Sequence, residues 1–300
     1  MTTDSFQSSQ MVRRVNATLI YLRRFVNYFR TSSPYISGDS LADLCEMVHF
    51  PHKFWSFRTK LRGGHGSGLV FCPSSDYLHL QKFYNSESRI PVLVLGNGDH
   101  DFNKEELMQL QQIAKKVYVQ NLDYDIDNFE VLPIGIENLR LGQNGRRALV
   151  RDRVSWKDKK SRVLIGPFSN THPERLKLLE FLGVAGLWDF HSGYITPRKY
   201  AKLAERYKFV ACPRGNGLDT HRFWETLYRG SIPIVKESTW ARLIEKLGIP
   251  LVVVPEWTPS ELSKAISYAE FKDFDPRNVS ALWINYWDEL FTSNLDELES

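Results

Sequence analysis

Arg222 and Glu225 stand three residues apart in the stretch CPRGNGLDTHRFWETLYRGSIPIV, residues 212–235. At helical spacing they share a face. A cation in the first turn is set against the helix dipole, at a cost of about 0.3–1 kcal/mol. The same position suits a bound phosphate. First-turn N–H groups are unsatisfied, and a guanidinium fork holds phosphate oxygens through two hydrogen bonds. Arg214 adds a second cation upstream, and Gly215 and Gly217 flank Asn216 in a loop where the backbone can turn tightly and a ligand can approach. Arg222 would then serve phosphate and Glu225 a ribose diol. The plain alternative is a surface Arg–Glu pair worth about 0.5 kcal/mol. The glycines and the misplaced charge favour the phosphate site.

A second set of candidates follows the apolar run PVLVLGNG. Asp99, His100 and Asp101 come where a buried strand ends, and each is a residue type that can take a proton. The alternative is structural, with Asp101 or Asn103 capping the next helix. His65 in GGHGSG and Glu137 in PIGIEN are lesser candidates for the same task. DYDIDN, 123–128, holds two overlapping Asp-x-Asp patterns that would suit a manganese ion, but the pattern is common in loops.

These residues need elements to position them. The run at 90–95 is continuously apolar, as for a strand covered on both faces of a parallel sheet. A helix is predicted over 104–116, with strands at 69–72, 116–121 and 129–136. The polar, basic stretch 142–161 reads as a boundary. The pattern then restarts, with strands predicted at 162–168, 208–212, 232–236 and 249–255. Helices are predicted at 172–183, 197–207, 221–228, 238–248 and 258–270, and over the tail 275–299. Asp219 or Thr220 can cap the 221–228 helix, and Gly230 can close it. Thr258 and Pro259 read as the cap and first residue of their helix. Alternating strands and helices predict an α/β protein whose two units face a cleft at the carboxyl ends of their strands.

Bulk properties set outer limits. The chain has 300 residues, enough for two domains of roughly 150. Hydrophobic content of 42% and charged content of 25% are ordinary for a globular enzyme, and the net charge is +4. No block of like charges marks a nucleic-acid tail. Cys45, Cys72 and Cys212 are odd in number and form no CxxC pair, which points to a reducing compartment and away from a disulfide scaffold or a zinc site. No run of eighteen apolar residues predicts a membrane span. The stretch NATLIYLRRFVNYF is broken by Arg23 and Arg24, so it does not read as a signal peptide. Residues 10–30 read as a basic amphipathic helix, either a surface helix or one that touches an anionic membrane.

GNGLDTHRFWETLYRGSIPIV resembles the donor-binding segment of exostosin-like glycosyltransferases, which carry Arg-Phe-x-Glu-Ala-Leu followed by Pro-Val-Val. It is similar, less closely, to α-1,3-fucosyltransferases. In that alignment His221 falls on a ribose-binding Glu and Arg222 on a phosphate-binding Lys. The likeness covers about 25 residues and the two-unit order. It implies the glycosyltransferase B architecture, with two Rossmann-like domains facing a cleft. Residues 1–155 would take a glycan or other hydroxyl acceptor, 156–275 the nucleotide sugar, and a helix in 276–300 would cross back. The implied donor contacts are Arg214, Gly215, Asn216, Gly217, Asp219, Thr220, His221, Arg222 and Glu225, with a UDP-sugar ahead of a GDP-sugar. The implied base is one of Asp99, His100 and Asp101, and helix dipoles and cations replace a metal at the leaving diphosphate. Retaining relatives of this architecture place a Glu eight positions before the ribose Glu. Gly217 stands there, which implies inversion. The expected setting is the cytoplasm, either free or peripheral to a membrane. Alternatives on the same architecture are a nucleotide-sugar epimerase or hydrolase, and a binding module without turnover.

Overall fold

A computed structural model describes residues 32–49, 68–141, 144–181, 183–268 and 273–299. The amphipathic segment 10–30 and the His65 loop lie outside the described residues. The chain forms an α/β protein with two five-stranded sheets, each wholly parallel.

The first sheet contains β1 (Met47–Val48), β2 (Leu69–Pro73), β3 (Ile90–Gly96), β4 (Ala114–Val119) and β5 (Phe129–Val131), side by side in chain order. Right-handed crossovers between strands that advance in one direction all fall on one face. That face of β3 carries Leu93 and Leu95, in a core with Tyr77 and Leu80 of the segment Ser74–Lys82 and with Leu107 and Leu110 of the helix Lys104–Ile113. Val92 and Val94 point to the other face, because side chains alternate along a strand. The sequence IPVLVLG is apolar throughout because both faces are covered.

The second face is covered by the helix Gly38–Leu44 and by the last helix, Ile284–Glu299. Trp287 and Phe291 of that last helix are fully buried against Tyr118, with ring centroids 6.3 and 4.7 Å away. The tail is therefore not one helix over 275–299. Turns at Pro276–Asn278 and Ser280–Leu282 come first and lead the chain back across to the first sheet.

The second sheet contains β6 (Lys160–Ile165), β7 (Trp188–Phe190), β8 (Tyr207–Ala211), β9 (Ile232–Lys236) and β10 (Val252–Val254). Its spatial order is β10-β9-β8-β6-β7. The three-residue β7, which sequence periodicity does not reveal, lies at the edge beside β6. The segment expected as one helix over 172–183 is a short helix, Pro173–Lys177, then a 3-10 turn, Leu178–Phe181. The helices that follow β7 in this unit are Pro197–Ala204, His221–Tyr228, Thr239–Lys246 and Pro259–Tyr268, and a short helix, Arg147–Val150, precedes β6. Among the described residues no helix is long and apolar enough to cross a membrane.

Lys159 enters the second sheet almost wholly buried. Its Nζ donates to the Glu205 and Arg229 carbonyls at 2.8 and 2.7 Å, closing the carboxyl ends of Pro197–Ala204 and His221–Tyr228 together. A cation belongs at a helix C-terminus. Burial lowers its pKa to about 8.

Candidate functional site

The order of the second sheet reverses between β6 and β8. The chain leaves β6 for the edge strand β7 and returns on the other side of β6 as β8. Connections from β6 and β8 therefore diverge, and a crevice opens outside their carboxyl ends. A cavity of about 570 Å³ sits there, within the roughly 300–1,000 Å³ usual for small-molecule sites. Pro167, Ser169 and Thr171 line it after β6, and Gly215, Asn216 and Gly217 line it after β8. Thr220, His221, Arg222 and Glu225 line it from the helix that follows.

Arg222 is fixed on three sides. Its Nη2 donates to the Pro167 carbonyl. The guanidinium lies 4.9 Å from both the Phe168 and Tyr200 ring centres. Its Nη1 is buried without a partner, and so is the Tyr200 hydroxyl. Arg175 stands beside it, donating from Nε to the Arg214 carbonyl at 2.9 Å and from Nη1 to the Ser169 carbonyl at 3.0 Å. Burial, and after it the Arg222 charge, pull the Arg175 pKa down to about 10, so Arg175 remains a cation at neutral pH. Among the described residues neither has a carboxylate at ion-pair distance. Two like charges held together in a half-dry crevice repel each other, and a bound anion relieves that repulsion.

The glycines act through close approach. A Cβ on Gly215 would stand 2.8 Å from Arg175 Nη2, and one on Gly217 would stand 2.6 Å from the Asn121 amide. Neither glycine has a left-handed backbone. Glu174 holds the same loop, accepting from Arg214 N at 3.2 Å and Trp257 Nε1 at 2.7 Å.

The other candidates divide. Glu225 lines the cavity at 8% exposure, but its Oε2 accepts from Arg229 Nη2 at 3.0 Å. His221 Nδ1 lies 2.8 Å from the Gly135 carbonyl; a carbonyl only accepts, so Nδ1 carries the proton. Thr220 is the N-cap residue, yet its side chain makes no capping bond. Asp219 lines the cavity but is not the cap, which is Thr220. Asp219 is 2% exposed, and its oxygens accept from Ile134 N at 2.7 Å and Trp224 Nε1 at 2.6 Å. Its own N–H donates to Asn121 Oδ1 at 2.9 Å. Asp219 thus fastens the loop to the first half of the chain, because the preceding turn aims its carboxylate there. Burial raises its pKa to about 7.

Asp99 lines the cavity from the first half and accepts from Asn216 Nδ2 at 3.1 Å. Asp101 pairs with Arg214 Nη2. His100 is engaged elsewhere, 3.0 Å from Glu106 Oε1 and packed edge-on to Phe102. Asn103 is the helix cap. Glu137 accepts from Asn144 N and Nδ2 at 3.2 and 2.8 Å. Two of the three Asp-x-Asp carboxylates serve a helix: Asp123 accepts from Trp240 N at 3.0 Å, and Asp125 pairs with Lys246 at 2.8 Å.

Arg175 and Tyr200 are among the site residues that sequence reading missed. Arg175 carried the signal used for Arg222, a cation in the first turn of a helix after a strand. Tyr200 carried none, since one helical tyrosine looks like any other. No family model and no curated protein matches the chain.

Proposed function

We propose that the chain is a glycosyltransferase of the glycosyltransferase B architecture. It would move a sugar from a nucleoside diphosphate to a hydroxyl acceptor. The observation that carries this is the pair Arg175 and Arg222, which among the described residues have no carboxylate at ion-pair distance, in the crevice where the second sheet reverses. The resemblance of the segment 212–235 to exostosin-like transferases points the same way.

On this reading Arg222, Arg175 and the first turn of His221–Tyr228 take the diphosphate, and Glu225 takes the ribose. Asp99 is the base, being the candidate among Asp99, His100 and Asp101 that lines the cavity. Its carboxylate accepts the acceptor's hydroxyl proton. The acceptor oxygen bonds to the anomeric carbon as the carbon–oxygen bond to the diphosphate breaks, and that electron pair leaves on the diphosphate. Preorganised cations at the leaving oxygens lower the barrier without rearranging during the step. With Gly217 where a retaining enzyme would carry a carboxylate, the sugar inverts.

Calorimetry with UDP and GDP, joined to a donor-consumption assay on an acceptor panel, tests the reading. Arg222→Ala should weaken UDP binding by at least about 30-fold, the loss expected when one partner of a desolvated charge contact is truncated. Asp99→Asn should keep UDP affinity within about threefold and lower turnover by about 10²–10⁴-fold. Unchanged UDP affinity in Arg222→Ala would refute the donor site. Tight binding without turnover on any acceptor would leave a nucleotide-binding module.

A further inference from the structure

The cavity has two unlike walls. One is cationic and polar, with Ser169, Thr171, Arg175 and Arg222. The other is apolar, with Tyr194, Ile195 and Pro197, from the connection between β7 and the helix Pro197–Ala204. A free diphosphate has nothing apolar to set against those side chains. A nucleotide does, because it joins an anion to a flat ring.

Tyr194 is 88% exposed, while the next large apolar side chain, Phe83, is 66% exposed. A lone exposed apolar residue is ordinary on a protein surface. Tyr194 differs in lining a cavity that also holds Arg175 and Arg222. The turn before it is built for presentation. Gly193 has φ +80°, a backbone that a side chain would strain, and the space around its Cβ position is empty. Among the described residues no ring or cation stacks on Tyr194, so its face is open.

The acceptor side is fixed independently. First-half residues contact the loop after β8 and the start of the helix after it through Asp99–Asn216, Asp101–Arg214 and Gly135–His221. The connection carrying Tyr194 makes none of these contacts.

We infer that Tyr194 is the platform on which the nucleobase of the bound nucleotide stacks, making it a determinant of nucleotide affinity. This rests on the cavity taking a nucleoside diphosphate. Every base has a flat face, so Tyr194 supplies affinity with little preference among bases.

Calorimetry with UDP, GDP and inorganic pyrophosphate on the wild type and on Tyr194→Ala, Tyr194→Phe and Tyr194→Trp tests it. Tyr194→Ala should weaken UDP and GDP by about 5- to 150-fold, the span measured for loss of one base–aromatic stack. Pyrophosphate affinity should stay unchanged, and the Phe and Trp variants should bind like wild type. If Tyr194→Ala binds UDP as wild type does, the platform is wrong and the donor cavity stands. A parallel loss of pyrophosphate in Tyr194→Ala would also overturn stacking, since a base contact cannot act on a ligand without a base. A wild type that binds neither UDP nor GDP would overturn the platform and the donor cavity together.

Discussion

The helices Lys104–Ile113 and His221–Tyr228 occupy equivalent places. Each leaves the carboxyl end of the central strand of its sheet, β3 in one case and β8 in the other. Their N-termini are treated differently. Asn103 accepts from Glu106 N at 3.0 Å, and Glu106 returns a bond to Asn103 N at 2.8 Å, so the first helix closes on itself. The second has Thr220 at the cap with no such bond, and a cavity in front of it. An N-terminus that satisfies its own donors has little left for an anion. The difference separates a scaffold helix from one placed to receive a ligand. The strand orders agree with this. Five strands in simple succession leave no reversal, whereas the second sheet reverses beside β6.

That simple succession has a structural consequence. With its crossovers on one face, the first sheet takes cover for the other face from the helix before β1 and, from the far end of the chain, the last helix. The second sheet covers itself by winding both ways. Trp287→Ala removes the largest side chain of the borrowed cover and should cost about 3–5 kcal/mol, read from urea denaturation. A cost below about 1 kcal/mol would show that the last helix is dispensable and would remove this contrast between the sheets.

Sequence patterns revealed much of this, unevenly. Continuous apolar runs marked β3, β8 and β9 because those strands are buried on both faces. The 221–228 helix was legible because Gly230 ends it, with φ +68°. The strand β7 was not legible. Three residues, Trp-Asp-Phe, are too few to show a period, yet this strand creates the reversal that locates the cavity. Arg222 could be found because its charge conflicts with its position. Asp219 looked like a cap because an Asp before a helix usually is one. Its true partners, Ile134 and Trp224, are 85 and 5 residues away, and nothing local names the first.

Asp219 offers the next test, at the seam between the two halves. Its folded pKa of about 7 lies above the ordinary 3.8. The folded state therefore binds more protons than the unfolded state between those values, and stability from this group falls as pH rises through the window. The stabilisation is complete below about pH 4 and is lost by about pH 7, amounting to a few kcal/mol on the order of the shift. Denaturation midpoints from pH 4 to 7 should show this slope in wild type and lose it in Asp219→Asn. The asparagine variant should also be less stable, because its amide nitrogen would face an N–H donor. A slope that survives the substitution would assign the titration to another group and detach Asp219 from the seam's energetics.

The smallest effect bears most directly on the two helix ends. Asn103→Ala removes a cap that makes its side-chain bond and should cost about 1 kcal/mol. Thr220→Ala removes a side chain that makes none, so its cost without ligand should be within about 0.5 kcal/mol. Chemical denaturation of both variants in the same buffer gives the two numbers side by side. Equal costs would mean that Thr220 supports its helix as Asn103 does, and the claim of an open N-terminus would fail. If Thr220→Ala is neutral alone but weakens UDP binding, its hydroxyl belongs to the ligand rather than to the helix, because a group with no role in the folded chain can act only through what the chain holds.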